Sequence, residues 1–181
     1  LSHTRISQVA NWRARDEEIS LRTARHEAVR LAKRIHVLDE ELAENKTKLT
    51  EFVLVSEAGP LLAEKGIGPV TLAICLAAWS HKGRIRSAAA FCSLAGVNPI
   101  PASSGNTVRY RLNRGGDRRL NQALHMAVVC RMTYDARTRE YAEKRRAEGK
   151  TDREIRRCLK RYLARHIYRA LESGANAPER S

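Results

Sequence analysis

Between Asn98 and Leu120 the chain reads NPIPASSGNTVRYRLNRGGDRRL, and the chemistry on offer there is hydroxyl and guanidinium. Pro99 and Pro101 stiffen the entry, Ser103 and Ser104 follow, and Gly105 lets the backbone turn sharply beside them. Arg109, Arg111, Arg114, Arg118 and Arg119 come within fifteen residues of Ser104. A hydroxyl beside so many cations suits a phosphodiester, which it can contact or attack. Attack needs a group that takes the serine proton or stabilises developing charge. The arginines meet the second need, but the loop holds no evident general base. On local chemistry alone a Ser-Ser-Gly step is a turn, so contact and attack both stay open.

Two further segments fit a sugar-phosphate partner. Lys65-Gly66-Ile67-Gly68-Pro69-Val70-Thr71 has the Gly-hydrophobic-Gly form of a helix-hairpin-helix. Its glycines let backbone approach a phosphate, the N–H groups opening the second helix point at it, and Lys65 adds charge. Such a contact, through Lys65, Gly66, Gly68 and Thr71, reads the backbone and not the base sequence. An ordinary tight turn between helices uses the same two glycines. Asn113-Arg114-Gly115-Gly116-Asp117-Arg118-Arg119 is a basic loop feeding a helix start, equally able to be a capped surface helix with solvated arginines.

Other chemistries find no support. No nucleophile elbow accompanies a serine, so a Ser-His-Asp hydrolase is disfavoured. His81, His125 and His166 stand apart, with no metal-ligand spacing, and each reads as structural. Asp16, Glu17 and Glu18 are consecutive, so on a helix they cannot all face one ion. No metal site is expected in this chain. Cys75, Cys92, Cys130 and Cys158 form no Cys-x-x-Cys pair and read as small core residues in a reducing cytoplasm. The longest apolar run, Val70–Trp79, is too short for a bilayer, so no membrane partner is expected. The chain starts at Leu1 and not Met, and is expected to be a piece of a longer protein.

The elements that must position these motifs are helices. Ala, Leu and Arg dominate the 181 residues, aromatics are few, and the fold class expected is all-α. Of the net charge of +14, residues 109–169 carry +12, which makes that half the expected partner-binding half, with nucleic acid the default polyanion. Residues 13–55 lack helix breakers and place Leu21, Ala24, Ala28, Leu31, Ile35, Leu38, Leu42, Asn45, Leu49 and Phe52 at alternating steps of three and four. That spacing predicts a coiled coil or a long helix packed on its own domain. His26 and His36 on it read as solvated surface residues. Gly59-Pro60 is expected to break this helix. Short helices are then expected over Leu61–Lys65, Pro69–Trp79 and from the Ser87 cap to Leu94 or Ala95, with Gly96 as a left-handed stop. Longer ones are expected over Arg118–Tyr134, capped by Asp117, and Arg137–Glu148. The last opens with the capping box Thr151-Asp-Arg-Glu154. Its inner face is Ile155, Leu159, Tyr162 or Leu163, Ile167 and Leu171; its outer face is Arg153, Arg156, Arg157, Lys160, Arg161, Arg165 and Arg169. The domains expected are a long helical element over 1–58, a compact helical domain containing the helix-hairpin-helix over 59–173, and a disordered tail over 174–181.

In order along the chain, GIGPVT (66–71), RIRSAAAFCSLAGVNP (84–99), SSG (103–105), RLNRGGDRRLNQAL (111–124) and EKRRAEGK (143–150) resemble the C-terminal half of the insertion-sequence-110 transposases, also called bridge recombinases. The resemblance covers about residues 60–171, and the preceding helix is similar to that family's coiled-coil segment. It implies an enzyme in which an N-terminal resolvase-like domain with an Asp-Glu-Asp-Asp site for Mg²⁺ works with a C-terminal serine. That serine attacks DNA to form a phosphoserine, while a structured guide RNA selects donor and target. The family serine directly precedes glycine, which maps it onto Ser104. Asn106 stands where the family usually has a second glycine, and Leu112-Asn113-Arg114-Gly115 where it has Ser-Lys-Arg-Gly.

The resemblance thus implies part of a prokaryotic, cytoplasmic, nucleoid-associated DNA recombinase, with DNA and guide RNA as partners, and the coiled coil adds a second copy of the chain. This piece alone is expected to bind nucleic acid but not exchange strands. In that scheme Ser104 attacks, while Arg109, Arg111 and Arg114 position phosphate or stabilise charge. The alternative is a non-catalytic helix-hairpin-helix module. A third option is a dimerisation piece with incidental basicity.

Overall fold

The computed structural model describes residues 2–101, 110–111, 113 and 115–175, without the side chains of Tyr110 and Arg111. The expected tail beyond residue 175 lies outside them. Two compact units divide the chain between Lys48 and Leu49.

In the first unit, Ser2 caps α1 (His3–Ala10) by accepting from the Arg5 N–H. The helix α2 begins at Ile19, later than residue 13, and runs to Leu54, into the second unit. From its second turn, Arg25 lies 5.2 Å over the Trp12 ring and pairs with Glu17, which ties the preceding segment to the helix. Among the described residues of this unit Ala32 alone is buried, while Leu21, Leu31, Ile35, Leu38 and Leu42 stand exposed. The seam read from the heptad pattern is therefore unfilled by the unit itself. His36 is a correction to its solvated reading: it is half-buried, 3.3 Å from the Ser7 hydroxyl.

α2 stops at Leu54, five residues before the expected break at Gly59. The Ser56 hydroxyl donates to the Val53 carbonyl, and the chain folds straight back over the helix end. A Cβ on Gly59 would lie 2.5 Å from the Leu54 carbonyl oxygen, so glycine marks the fold-back rather than the stop. A 3-10 turn over Gly59–Ala63 follows, in place of the expected helix over Leu61–Lys65. Gly59 against α2 and Gly66 against a later helix leave too little chain for a settled α-helix.

The rest is helical as the composition requires: α3 (Pro69–Trp79), α4 (Ala88–Leu94), α5 (Arg118–Tyr134), α6 (Ala136–Ala147) and α7 (Asp152–Gly174). Three caps match the sequence expectations. Ser87 accepts from the Ala90 N–H, Asp117 from Arg119 and Leu120, and Thr151 forms a full capping box with Glu154. One addition to the all-α plan is a two-residue antiparallel pairing of β1 (Ile100–Pro101) with β2 (Tyr110–Arg111).

The core gathers Trp79, Phe91, Leu72, Leu120, Leu124, Ile167 and Leu171, with α7 packed against α4, α5 and α6. On α7 it is Leu163 that turns inward, and Tyr162 is exposed. Two polar side chains of this core are paired: Trp79 donates from Nε1 to Glu172 at 2.8 Å, and the Tyr168 hydroxyl to the Ile85 carbonyl at 2.6 Å. Cys75 and Cys92 are buried, and desolvation pushes the Cys75 thiol up to about 12. Among the described residues no helix is long and apolar enough to cross a membrane.

Candidate nucleic-acid interface

The segment carrying Ser103, Ser104, Gly105 and Arg109 lies outside the described residues, as does Arg114. Its frame is described. Ile100 pairs with Arg111 and Pro101 with Tyr110, so the two chain ends that bound residues 102–109 are held side by side. Pro suits this position because a two-residue edge pairing has little need of its missing N–H.

Beyond β2 the Gly115-Gly116-Asp117 step docks on the end of α4. A Cβ on Gly116 would fall 2.3 Å from the Gly96 nitrogen and 2.4 Å from its Cα, so only glycine permits this crossing. Gly96 itself has φ +65°, the left-handed stop expected for α4. Three hydrogen bonds lock the contact: the Asp117 N–H to the Leu94 carbonyl at 2.7 Å, the Asn121 amide to the Ala95 carbonyl at 2.7 Å, and the Asn113 amide to the Ser93 carbonyl at 3.4 Å. Asp117 then turns its carboxylate onto the Arg119 and Leu120 N–H groups and starts α5. Arg118 and Arg119 are exposed on the first turn, where the helix dipole adds to their positive field.

A cleft of about 400 Å³ opens at this crossing, lined by Gly96, Asn113, Gly116, Arg118, Asn121, Gln122 and His125. α7 supplies its further charge. Lys160 donates to Asn121 Oδ1 at 2.9 Å, which corrects its expected place on the outer face of α7: it is half-buried against α5. Burial first, then the charge of Arg157, lowers the Lys160 pKa. His125 is likewise pushed down by burial, then by Lys160 and Arg156, so its imidazole favours the neutral form. Asn121, Gln122, His125 and Lys160 were not singled out from the sequence as site residues. Their available signal was spacing: Asp117, Asn121 and His125 fall four apart on one helix face.

The Gly-hydrophobic-Gly hairpin sits elsewhere. Gly66 has φ +79°, and a Cβ on it would meet the Arg131 Cγ at 2.5 Å and the Ala127 carbonyl oxygen at 3.0 Å. Its glycine is needed for packing on α5. Gly68 is different: nothing lies within 4 Å of a Cβ there, and it opens α3 without a side-chain cap. Lys65 is exposed and Thr71 half-exposed beside that helix start. Glu64 anchors the hairpin, taking hydrogen bonds from Arg131 at 3.0 Å and His166 at 2.6 Å. Burial opposes its ionisation, but these two partners outweigh it and hold the carboxyl below its ordinary value. The hairpin contacts α5 near Ala127 and Arg131, whereas Arg118 and Arg119 open the same helix. At 1.5 Å per residue the two sets are centred about 16 Å apart along the axis. The structure thus brings Arg118 to the α4–α5 cleft and leaves Lys65, Gly66, Gly68 and Thr71 at a second location on α5.

Residues 59–143 match the family described as Transposase IS116/IS110/IS902 family, a range that takes in both the hairpin and the Gly96–Gly116 crossing. The chain is 26% identical over 146 residues to the Insertion element IS110 uncharacterized 43.6 kDa protein of Streptomyces coelicolor, covering 80% of this chain and 36% of that one. It is 31% identical over 124 residues to the Insertion element IS900 uncharacterized 42 kDa protein of Mycobacterium paratuberculosis, covering 67% and 31% respectively. It is also 28% identical over 121 residues to the Insertion element IS116 uncharacterized 44.8 kDa protein of Streptomyces clavuligerus, covering 66% and 30%. The chain spans about a third of the length of these curated relatives.

Proposed function

Through residues 59–143 the chain belongs to the IS116/IS110/IS902 transposase family, and from that membership we propose that it is the DNA-binding, serine-bearing part of a recombinase. Ser104 is the nucleophile in this proposal. Its Oγ forms a bond to a DNA phosphorus as the bond to one deoxyribose oxygen breaks, and the serine proton passes to a base outside this chain. The leaving oxygen takes up a proton from that base or from water, so the product is a phosphoserine plus a free deoxyribose hydroxyl. Phosphodiester bonds are conserved, so later transfer to a new strand needs no nucleotide cofactor.

The observation that carries this is the paired frame of β1 and β2 next to the Gly96–Gly116 crossing. A nucleophile must be held in near-attack geometry, and a loop gains that only from rigid supports. Arg109, Arg111 and Arg114 would hold the phosphate, and Arg118, Arg119 and the hairpin residues Lys65, Gly66, Gly68 and Thr71 would grip the duplex backbone. Gly66 supports this indirectly, through packing, while Gly68 and Lys65 are open to a phosphate. Among the described residues the one close group of candidate metal ligands is His3, His36 and Asp39, which is not a four-carboxylate set. An Asp-Glu-Asp-Asp site for Mg²⁺ would have to come from outside them.

Guide RNA and a second copy are further partners of the proposal. The exposed Leu31, Ile35, Leu38 and Leu42 of α2 support the second copy, because water-facing aliphatic side chains at heptad spacing are buried by pairing. The test is trapping of protein–DNA adducts with Ser104→Ala in a protein that also carries the relatives' additional length. Loss of the adduct with retained DNA binding is expected. Binding without any adduct, even before substitution, would favour the non-catalytic module.

A further inference from the structure

α1 is an eight-residue helix with no buried residue, in a unit where, among the described residues, Ala32 alone is buried. So little burial cannot by itself hold a short helix, and small units of this kind commonly add a covalent or metal staple. On the face where α1 meets α2 three potential ligands converge. His3 comes from α1; His36 and Asp39, one helical turn apart, come from α2. One nitrogen or oxygen from each lies within 4.8 Å of the other two, and His3 Nδ1 is 3.6 Å from Asp39 Oδ2. The imidazoles meet edge to face with centroids 5.2 Å apart. Ser7, one turn after His3, holds the His36 ring through Nε2 at 3.3 Å, so the ring is already oriented by α1.

We propose that His3, His36 and Asp39 form a Zn²⁺ site that staples α1 to α2. Ligand atoms around tetrahedral zinc stand about 3.3 Å apart, given bonds of about 2.0–2.1 Å. The His3–Asp39 separation is near that already, and small side-chain rotations bring in His36. Two imidazoles with one carboxylate suit a borderline transition ion and not Mg²⁺, which prefers an all-oxygen shell. His3 and Asp39 are exposed, so water completes the fourth position. Zinc here links residues on two elements, so its binding free energy adds to the stability of their contact.

The experiment uses the full chain, titrated with Zn²⁺ and with Co²⁺ as a spectroscopic stand-in, with Mg²⁺ as control. One Zn²⁺ per chain is expected, with intense visible Co²⁺ bands of tetrahedral type and at least tenfold slower amide exchange in α1 when metal is bound. His36→Ala and Asp39→Asn should each weaken Zn²⁺ binding at least tenfold, whereas His26→Ala should not. Asp39 is exposed, so Asp39→Asn keeps the test valid even where His36→Ala disturbs the helix pair. Absence of stoichiometric binding, equal response to Mg²⁺, or binding that survives Asp39→Asn overturns the proposal.

Discussion

Gly116→Ala isolates the contact on which the candidate interface rests. The new methyl would sit 2.3 Å from the Gly96 nitrogen, 2.4 Å from its Cα and 2.9 Å from the Ala95 carbonyl carbon. All three are backbone atoms, so no rotamer change relieves the clash. Overpacking of this kind costs about 1–3 kcal/mol, and any shift also strains the Asp117–Leu94 hydrogen bond and the α5 cap. For a domain of this size that is a loss of about 3–15 °C in Tm. Gly115→Ala is the control, since its Cβ would meet only the Asn113 side chain, at an ordinary 3.6 Å. That change should stay within about 0.5 kcal/mol of the parent. Thermal and urea melts of the three proteins measure the difference, and an unchanged urea slope assigns it to folded-state stability. DNA affinity should fall with Gly116→Ala more than with Gly115→Ala at equal salt. Equal melting temperatures for the two variants would refute the claim that the crossing admits only glycine at position 116.

Three other outcomes follow from the same structure. The folded-state pKa of Glu64 is depressed, so the stability it adds is present above the unfolded carboxylate range and disappears as pH falls through the folded value; urea melts should show parent and Glu64→Gln converging as pH falls below the ordinary carboxylate range, and a gap that widens with acid would contradict this. Cys75, its thiol pushed up to about 12 and buried, should resist iodoacetamide in the native protein while the half-exposed Cys130 and Cys158 react, as read by peptide mass spectrometry; early labelling of Cys75 would count against the core described. Leu163→Ala should cost about 2–5 kcal/mol in unfolding free energy, and Tyr162→Ala about 1 or less, because Leu163 is buried and the Tyr162 ring is exposed against the edge of Tyr141.

Helix starts were the most legible feature of the chain. Ser87, Asp117 and Thr151 announce themselves because a side-chain oxygen can reach a backbone N–H two or three residues on, a purely local geometry. The apolar stripes of α5 and α7 were readable for a similar reason, since a 3.6-residue period fixes which side chains share a face. What passes across a glycine was not. Gly66 and Gly116 look alike as turn formers, yet one accommodates Arg131 and the other the backbone of Gly96. Those partners are 65 and 20 residues away in sequence, beyond any local pattern. Lys160 departs from the outer face of its stripe because α7 is flanked by α4, α5 and α6, and a basic residue on such a helix can face a neighbour instead of water. The β1–β2 pairing is two residues long, too short for an alternating pattern. Ser104 drew its assignment from motif order, and its position lies outside the described residues.

If Ser104 attacks DNA as proposed, it must leave a covalent mark on the protein. The most direct measurement is mass spectrometry of the covalent protein–DNA adduct, formed by a protein carrying this chain together with the relatives' additional length. A nucleotide attached to the peptide holding Ser104 is expected, lost with Ser104→Ala and kept with Ser103→Ala. An adduct that persists after Ser104→Ala, or one mapped to Ser103, would contradict it.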